Sequence, residues 1–173
     1  VNSPDSNDEK SVAGELLAQL LKDQRSGPGQ VIRAETSSRS MDYRERGEDI
    51  PLIILPKARG EVVRQFRDVA LRKCRLEEVF GNLDGLELGI QERDAIQDCF
   101  DNGEDGWETF RSRFPRTRGL VEVSCPAFTS DFSQAMIEYG FQGGRLAGYG
   151  ECCLYKREGG QWRLVEKKQL WFS

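Results

Sequence analysis

The 173-residue sequence contains no histidine. That absence removes Ser-His-Asp and Cys-His nucleophilic sites, histidine-containing zinc sites and histidine pH switches together. It also contains no apolar run near the ~20 residues needed to span a bilayer, and no C-x-x-C pair among its five cysteines. Zinc-ribbon and thioredoxin-type readings therefore fall away, and the cysteines are too sparse for a disulfide scaffold. No G-x-G-x-x-G or P-loop spacing occurs, so the glycine-rich stretches read as hairpin turns and no cofactor is expected. The net charge of −4 argues against general nucleic-acid binding, whose affinity comes mainly from neutralised phosphates.

What is present fits one globular domain: 38% hydrophobic and 31% charged residues in a chain long enough to bury a core. Its 25 basic residues are 18 Arg and 7 Lys, and Arg is the planar, bidentate partner of phosphate and carboxylate. Residues 1–8 read as a disordered leader. Apolar Val12, Leu16, Leu17, Leu20 and Leu21 recur at helical spacing over residues 8–24, ended by Ser26-Gly27-Pro28-Gly29. Residues 30–36 suit a strand, and residues 50–55 (IPLIIL) a strand or buried extended segment. The stripe Val62, Val63, Phe66, Val69, Ala70 and Cys74 predicts a helix over residues 59–75. Shorter helices are expected over residues 91–100 and 107–114, the latter stopped by Pro115.

After Gly119 the pattern changes. GLVEVSCPAF, QAMIEYGF, GYGECCLYKR and QWRLVEKKQLWFS are four strand-like runs separated by Asp131-containing, Gly143-Gly144 and Gly159-Gly160 turns. The expectation is an α+β single domain in which residues 119–173 form a four-stranded antiparallel meander packed by the N-terminal and central helices. Cys152 and Cys153, adjacent in such a strand, would point to opposite faces, so no vicinal disulfide is expected.

The acidic run 101–108 (DNGEDGWE) fails as an EF-hand: counted from Asp101, Gly103 occupies a side-chain ligand position and Ser112 the position of the bidentate Glu. It reads as a turn whose Asp105 caps the following helix, and no metal site is expected. Glu122, Glu138 and Glu151 fall on strands that a meander makes neighbours. They would either line one sheet face as a shared binding or acid–base site, or simply face solvent. Arg64 and Arg67, with Arg72, Lys73 and Arg75, belong to one basic group, and Arg111, Arg113, Arg116 and Arg118 to a second. They would form an anionic-ligand surface if both groups shared a side of the fold, and otherwise ordinary wet faces.

Trp107-Glu108-Thr109-Phe110, Phe114-Pro115, the GLVEVSCPAF and QAMIEYGF runs, Gly148-Tyr149-Gly150 and the closing GGQWRLVEKK follow one another in an order that resembles an uncharacterised bacterial domain of the exported or lipoprotein type. The likeness covers residues 106–173. It implies a cell-envelope (periplasmic or secreted) setting and assigns no activity. Its aromatic and glycine positions are fold-making, with Gly119 and Gly140 at close backbone approaches and Trp162 and Trp171 on the cross-strand face of the last strand. The chain departs from that pattern at Ser124-Cys125-Pro126, where a Ser-Arg-Val-like run is usual, so any role of a basic residue there is lost. The expected function is a non-catalytic binding or interaction module for a small molecule or protein, with a cleft between helices and sheet as its site. The competing expectation is a carboxylate-dependent hydrolase of an exported polymer using two of the three glutamates.

Overall fold

A computed structural model describes residues 6–37, 55–101 and 105–173. Helix α1 (Ser6–Asp23) is followed by strand β1 (Gln30–Arg33), helices α2 (Gly60–Val69) and α3 (Leu76–Phe80), strand β2 (Gly89–Gln91), and helices α4 (Arg93–Gln97) and α5 (Gly106–Arg113). Strands β3 (Gly119–Val123), β4 (Ala127–Phe128), β5 (Gln134–Gly144), β6 (Ala147–Glu158) and β7 (Gln161–Phe172) complete the chain.

The fold is α+β, and its sheet is mixed. Among the described residues the strand order is β2-β1-β3-β5-β6-β7, with β4 also on β5. The antiparallel run expected from residues 119–173 is there, but it does not stand alone: β1 pairs parallel to both β2 and β3. Parallel neighbours are joined through long crossovers, so their pairing leaves no turn signature in the sequence. Antiparallel neighbours do leave one. Gly159 and Gly160, both at positive φ, form the two-residue turn between β6 and β7, where the backbone twist of the favoured hairpin turn requires that conformation.

Other boundaries move for local reasons. Helix α1 begins at Ser6, inside the stretch expected to be a leader. It ends in a Schellman motif, with Ser26 N donating to Leu21 O and Arg25 N to Lys22 O, and Arg25 holds the left-handed position usually given to glycine. Helix α2 stops at Val69, short of the expected residue 75, so Cys74 lies in the connection to α3 and leaves the helical stripe. Residues 76–89, whose glycines break any period, hold the short α3 and the start of β2. Of the apolar run 50–55 only Leu55 is within the described residues, and it is buried.

The sheet is covered on both faces. On the first, Ala13, Leu16, Leu17, Leu20 and Leu21 of α1 join Leu76 and Phe80 of α3 over Ile32, Val121, Val123, Ala135, Ile137, Tyr139, Cys153 and Tyr155. Each fully buried leucine contributes roughly 1.5–3 kcal/mol, enough to hold a helix that would be marginal in isolation. On the second face, Val62, Phe66 and Ala70 pack on Ala127, Met136, Cys152 and Leu154. Ile96, Trp107 and Phe110 pack separately on Val31 and Leu120. Cys152 and Cys153 thus lie in different clusters, as strand alternation requires.

Trp162 and Trp171 also divide between the faces. Trp162 donates from Nε1 to Val12 O on α1 at 3.2 Å. The Trp171 indole lies over Gly148 and Gly150 of β6 and Gly140 of β5. A Cβ at Gly150 would run into the Trp171 ring, and overpacking of this kind costs about 1–3 kcal/mol. Gly150→Ala is expected to lower the urea midpoint by an amount corresponding to about 2 kcal/mol, measured by equilibrium unfolding of both proteins.

Candidate functional site

The site begins where one strand fails to stay regular. β3 and β4 run along the same partner, β5, but Cys125-Pro126 interrupts them, since proline cannot donate to a ladder. At the break Ser124 N still donates to Glu138 O at 3.0 Å. The return bond goes from Glu138 N to the Ser124 hydroxyl at 2.9 Å, while that hydroxyl donates to Cys125 O at 3.0 Å. A buried side-chain oxygen therefore stands in for a carbonyl, and the chain bends without orphaning a buried N–H.

Beside the bend lies a cleft of about 270 Å³. Its apolar lining includes Ala13 of α1, Val69 of α2, Val79 of α3, Pro126 and Phe128. Charges of both signs stand among them: Glu9 and Lys10 from α1, Arg72 from the α2–α3 connection, and Glu78 from α3. Two thiols complete it, Cys74 and Cys125. Burial pushes Cys125 up to about 11, offset in part by the Thr36 hydroxyl, so at neutral pH it is a thiol and not a thiolate. The opening is small beside drug-sized pockets of ~300–1,000 Å³. It suits one apolar group flanked by polar ones.

The sequence-derived site residues do not lie in this cleft. Glu122 pairs with Gly140 across β3 and β5, and Glu138 with Cys152 across β5 and β6. Paired residues share a face, so Glu122 and Glu138 are diagonal neighbours on the second face, where Arg33 Nε meets Glu122 Oε1 at 2.6 Å. Glu138 is buried, at 3% exposure. Glu151 neighbours Cys152 in the chain and so points to the first face. There it accepts from Gln24 Nε2 at 3.0 Å and from Lys167 Nζ at 3.0 Å. The three glutamates thus occupy two faces of the sheet and do not form one constellation.

Arg64 and Arg67 are exposed on α2. The basic groups disperse rather than merge: Arg75 makes a bidentate pair with Glu92 at 2.8 and 3.1 Å, Arg113 reaches Asp98 at 3.4 Å, and Arg118 donates to Pro28 O at 3.1 Å. The Glu92 carboxyl is held below its usual range by the Arg75 hydrogen bond. Asp105 caps α5, accepting from Trp107 N at 3.1 Å; residues 102–104 of that acidic run lie outside the described residues. Among the described residues no group of three or more His, Cys, Asp or Glu is placed to hold a metal ion, and no helix is long and apolar enough to cross a membrane.

The cleft residues were missed because they come from three distant segments, and Cys74 was assigned to a helix that ends before it. The legible signal was Cys-Pro inside a strand-like run. Removing the Ser124 hydroxyl strands the buried Glu138 N–H, and an unsatisfied buried donor costs about 1–3 kcal/mol. Ser124→Ala is expected to destabilise the fold by that amount in urea unfolding and to speed exchange of the Glu138 amide.

No family model matches the chain, and neither a curated protein nor a solved structure matches it. The resemblance over residues 106–173 therefore rests on its motif residues alone.

Proposed function

We propose that the protein is a non-catalytic binding or interaction module whose cleft at the Ser124–Pro126 bend takes one apolar group with polar flanks, from a small amphiphile or a partner peptide. The observation that carries the reading is the lining itself: an apolar floor from Ala13, Val79 and Phe128 beside Lys10, Arg72, Glu9 and Glu78. Such a surface recognises shape and charge together. Cys125 does not serve as a catalytic nucleophile towards a bound ligand on its own, because its burial holds it protonated.

The hydrolase alternative needs two carboxylates about 5–10 Å apart across a substrate. Glu151 lies on the other face of the sheet from Glu122 and Glu138, Glu122 is engaged by Arg33, and none of the three lines the cleft. The binding reading extends to a bacterial cell-envelope setting, supported by the motif resemblance of residues 106–173.

The test is amide chemical-shift mapping with a library of small amphiphilic fragments and blocked dipeptides. Shifts are expected to concentrate on Lys10, Ala13, Val79, Cys125 and Phe128. They should vanish in Val79→Phe, which fills the cleft from a half-buried position while far-UV circular dichroism reports an intact fold. Shifts confined to other surfaces, or turnover of any bound fragment, would contradict the reading.

A further inference from the structure

The two thiols of the cleft are joined by more than proximity to a common space. Thr36 Oγ1 accepts a hydrogen bond from Cys74 N at 2.9 Å and lies 3.3 Å from Cys125 Sγ. Thr36 N in turn donates to Cys74 O at 2.7 Å, and its hydroxyl donates to Arg72 O at 2.9 Å. Cys125 Sγ reaches that same Arg72 carbonyl at 3.6 Å. One threonine thus pins the connection carrying Cys74 against the bend carrying Cys125. The Cys74 amide and the Cys125 thiol thus share one oxygen, and the Cys74 side chain itself lies within hydrogen-bonding reach of the Cys125 thiol. Two cysteines held this way differ from the other three. Cys152 and Cys153 sit in clusters on opposite sides of the sheet, and Cys99 is buried under α5 with its S–H directed at Ala95 O, 3.4 Å away.

We propose that Cys74 and Cys125 form a redox-active dithiol that a low-molecular-weight disulfide oxidises to an intramolecular bridge. Both cysteines line the cleft, but Cys74 is half-buried and Cys125 buried, so the more accessible Cys74 reacts first. The Cys74 sulfur, giving up its proton, attacks one sulfur of the incoming disulfide, breaking its S–S bond and releasing the first small thiol, which carries that proton. The mixed disulfide on Cys74 then faces Cys125, whose sulfur attacks Cys74 Sγ. The second small thiol leaves with the Cys125 proton. Two S–H bonds are replaced by one S–S bond, and the oxidant takes up both electrons and both protons as two thiols. The bridge ties the α2–α3 connection to the strand bend along one wall of the cleft, so oxidation state and access to the cleft are coupled. The bridge forms whether or not the cleft also binds a ligand.

The test is incubation of the folded, fully reduced protein with excess oxidised glutathione, followed by acid quench, unfolding and non-reducing peptide mapping. The expected product is a linked Cys74–Cys125 peptide, a loss of about 2 Da from the intact mass, and a fall from five titratable thiols to three. Cys125→Ala and Cys125→Ser are both expected to stop at the glutathione adduct on Cys74, while Cys74→Ala leaves Cys125 unreacted. Five free thiols after oxidation, a stable Cys74 adduct in the unsubstituted protein, or a bridge through Cys99, Cys152 or Cys153 would each overturn the assignment. The unsubstituted protein alone decides the matter, so a variant that fails to fold does not.

Discussion

The structure hangs on β5 being buried from both sides. Residues from Gln134 to Gly140 are all buried, so over that stretch the strand presents no solvent face. Ala135, Ile137 and Tyr139 receive α1, while Met136 receives α2. A slip of one residue in its register would exchange the two sets, carrying Ala135, Ile137 and Tyr139 to the second face and driving Glu138 under α1. The ladders to β3 and β6 fix that register over most of its length. Polar atoms carried inward by that choice find partners at the end of α1: Tyr139 OH lies 2.7 Å from Ser26 Oγ, and Tyr155 OH donates to Asp23 Oδ2 at 3.1 Å. Burial pushes both phenol pKa values upward. Asp23 is the last residue of α1, and the left-handed turn at Arg25 just after it leads the chain to Ser26.

The cleft follows from the one place where β5's neighbour cannot continue. Pro126 breaks the ladder and Ser124 repairs it with its side chain, leaving a bend against which α1, the end of α2 and α3 do not close fully. Hydrogen bonding at the bend is complete enough to make it a fixed feature of the fold. Thr36, just past β1, connects it to the α2–α3 connection. The candidate site is thus a packing gap lined by chemistry, built from segments some 110 residues apart along the chain.

How much of this the sequence revealed depends on how local each signal is. Strands β5, β6 and β7 were legible as strand-like runs separated by glycine pairs, with alternation in β7 and the Gly159-Gly160 turn joining it directly to β6. Strand β2, three residues long, has no periodicity to read, and its parallel pairing with β1 depends on a crossover. The end of α2 was misread because Cys74 continues the apolar stripe although the chain has already left the helix. The glutamates illustrate the same limit in the site. Alternation assigns faces within one strand, but only the pairing of Glu138 with Cys152 places Glu151 opposite the other two. Cys125-Pro126 was visible as a departure from the resembling pattern, yet what gathers around it comes from α1 and the α2–α3 connection.

Native-state hydrogen exchange tests the dependence on β5 most directly. The ladder-bonded amides of β5 between Ala135 and Tyr139 should form the slowest class and exchange only with global unfolding, while β7, at the sheet edge among the described residues, exchanges through smaller openings. A β5 that exchanges ahead of β7, or independently of global stability in denaturant, would contradict the claim that the two helical layers are held together through this strand.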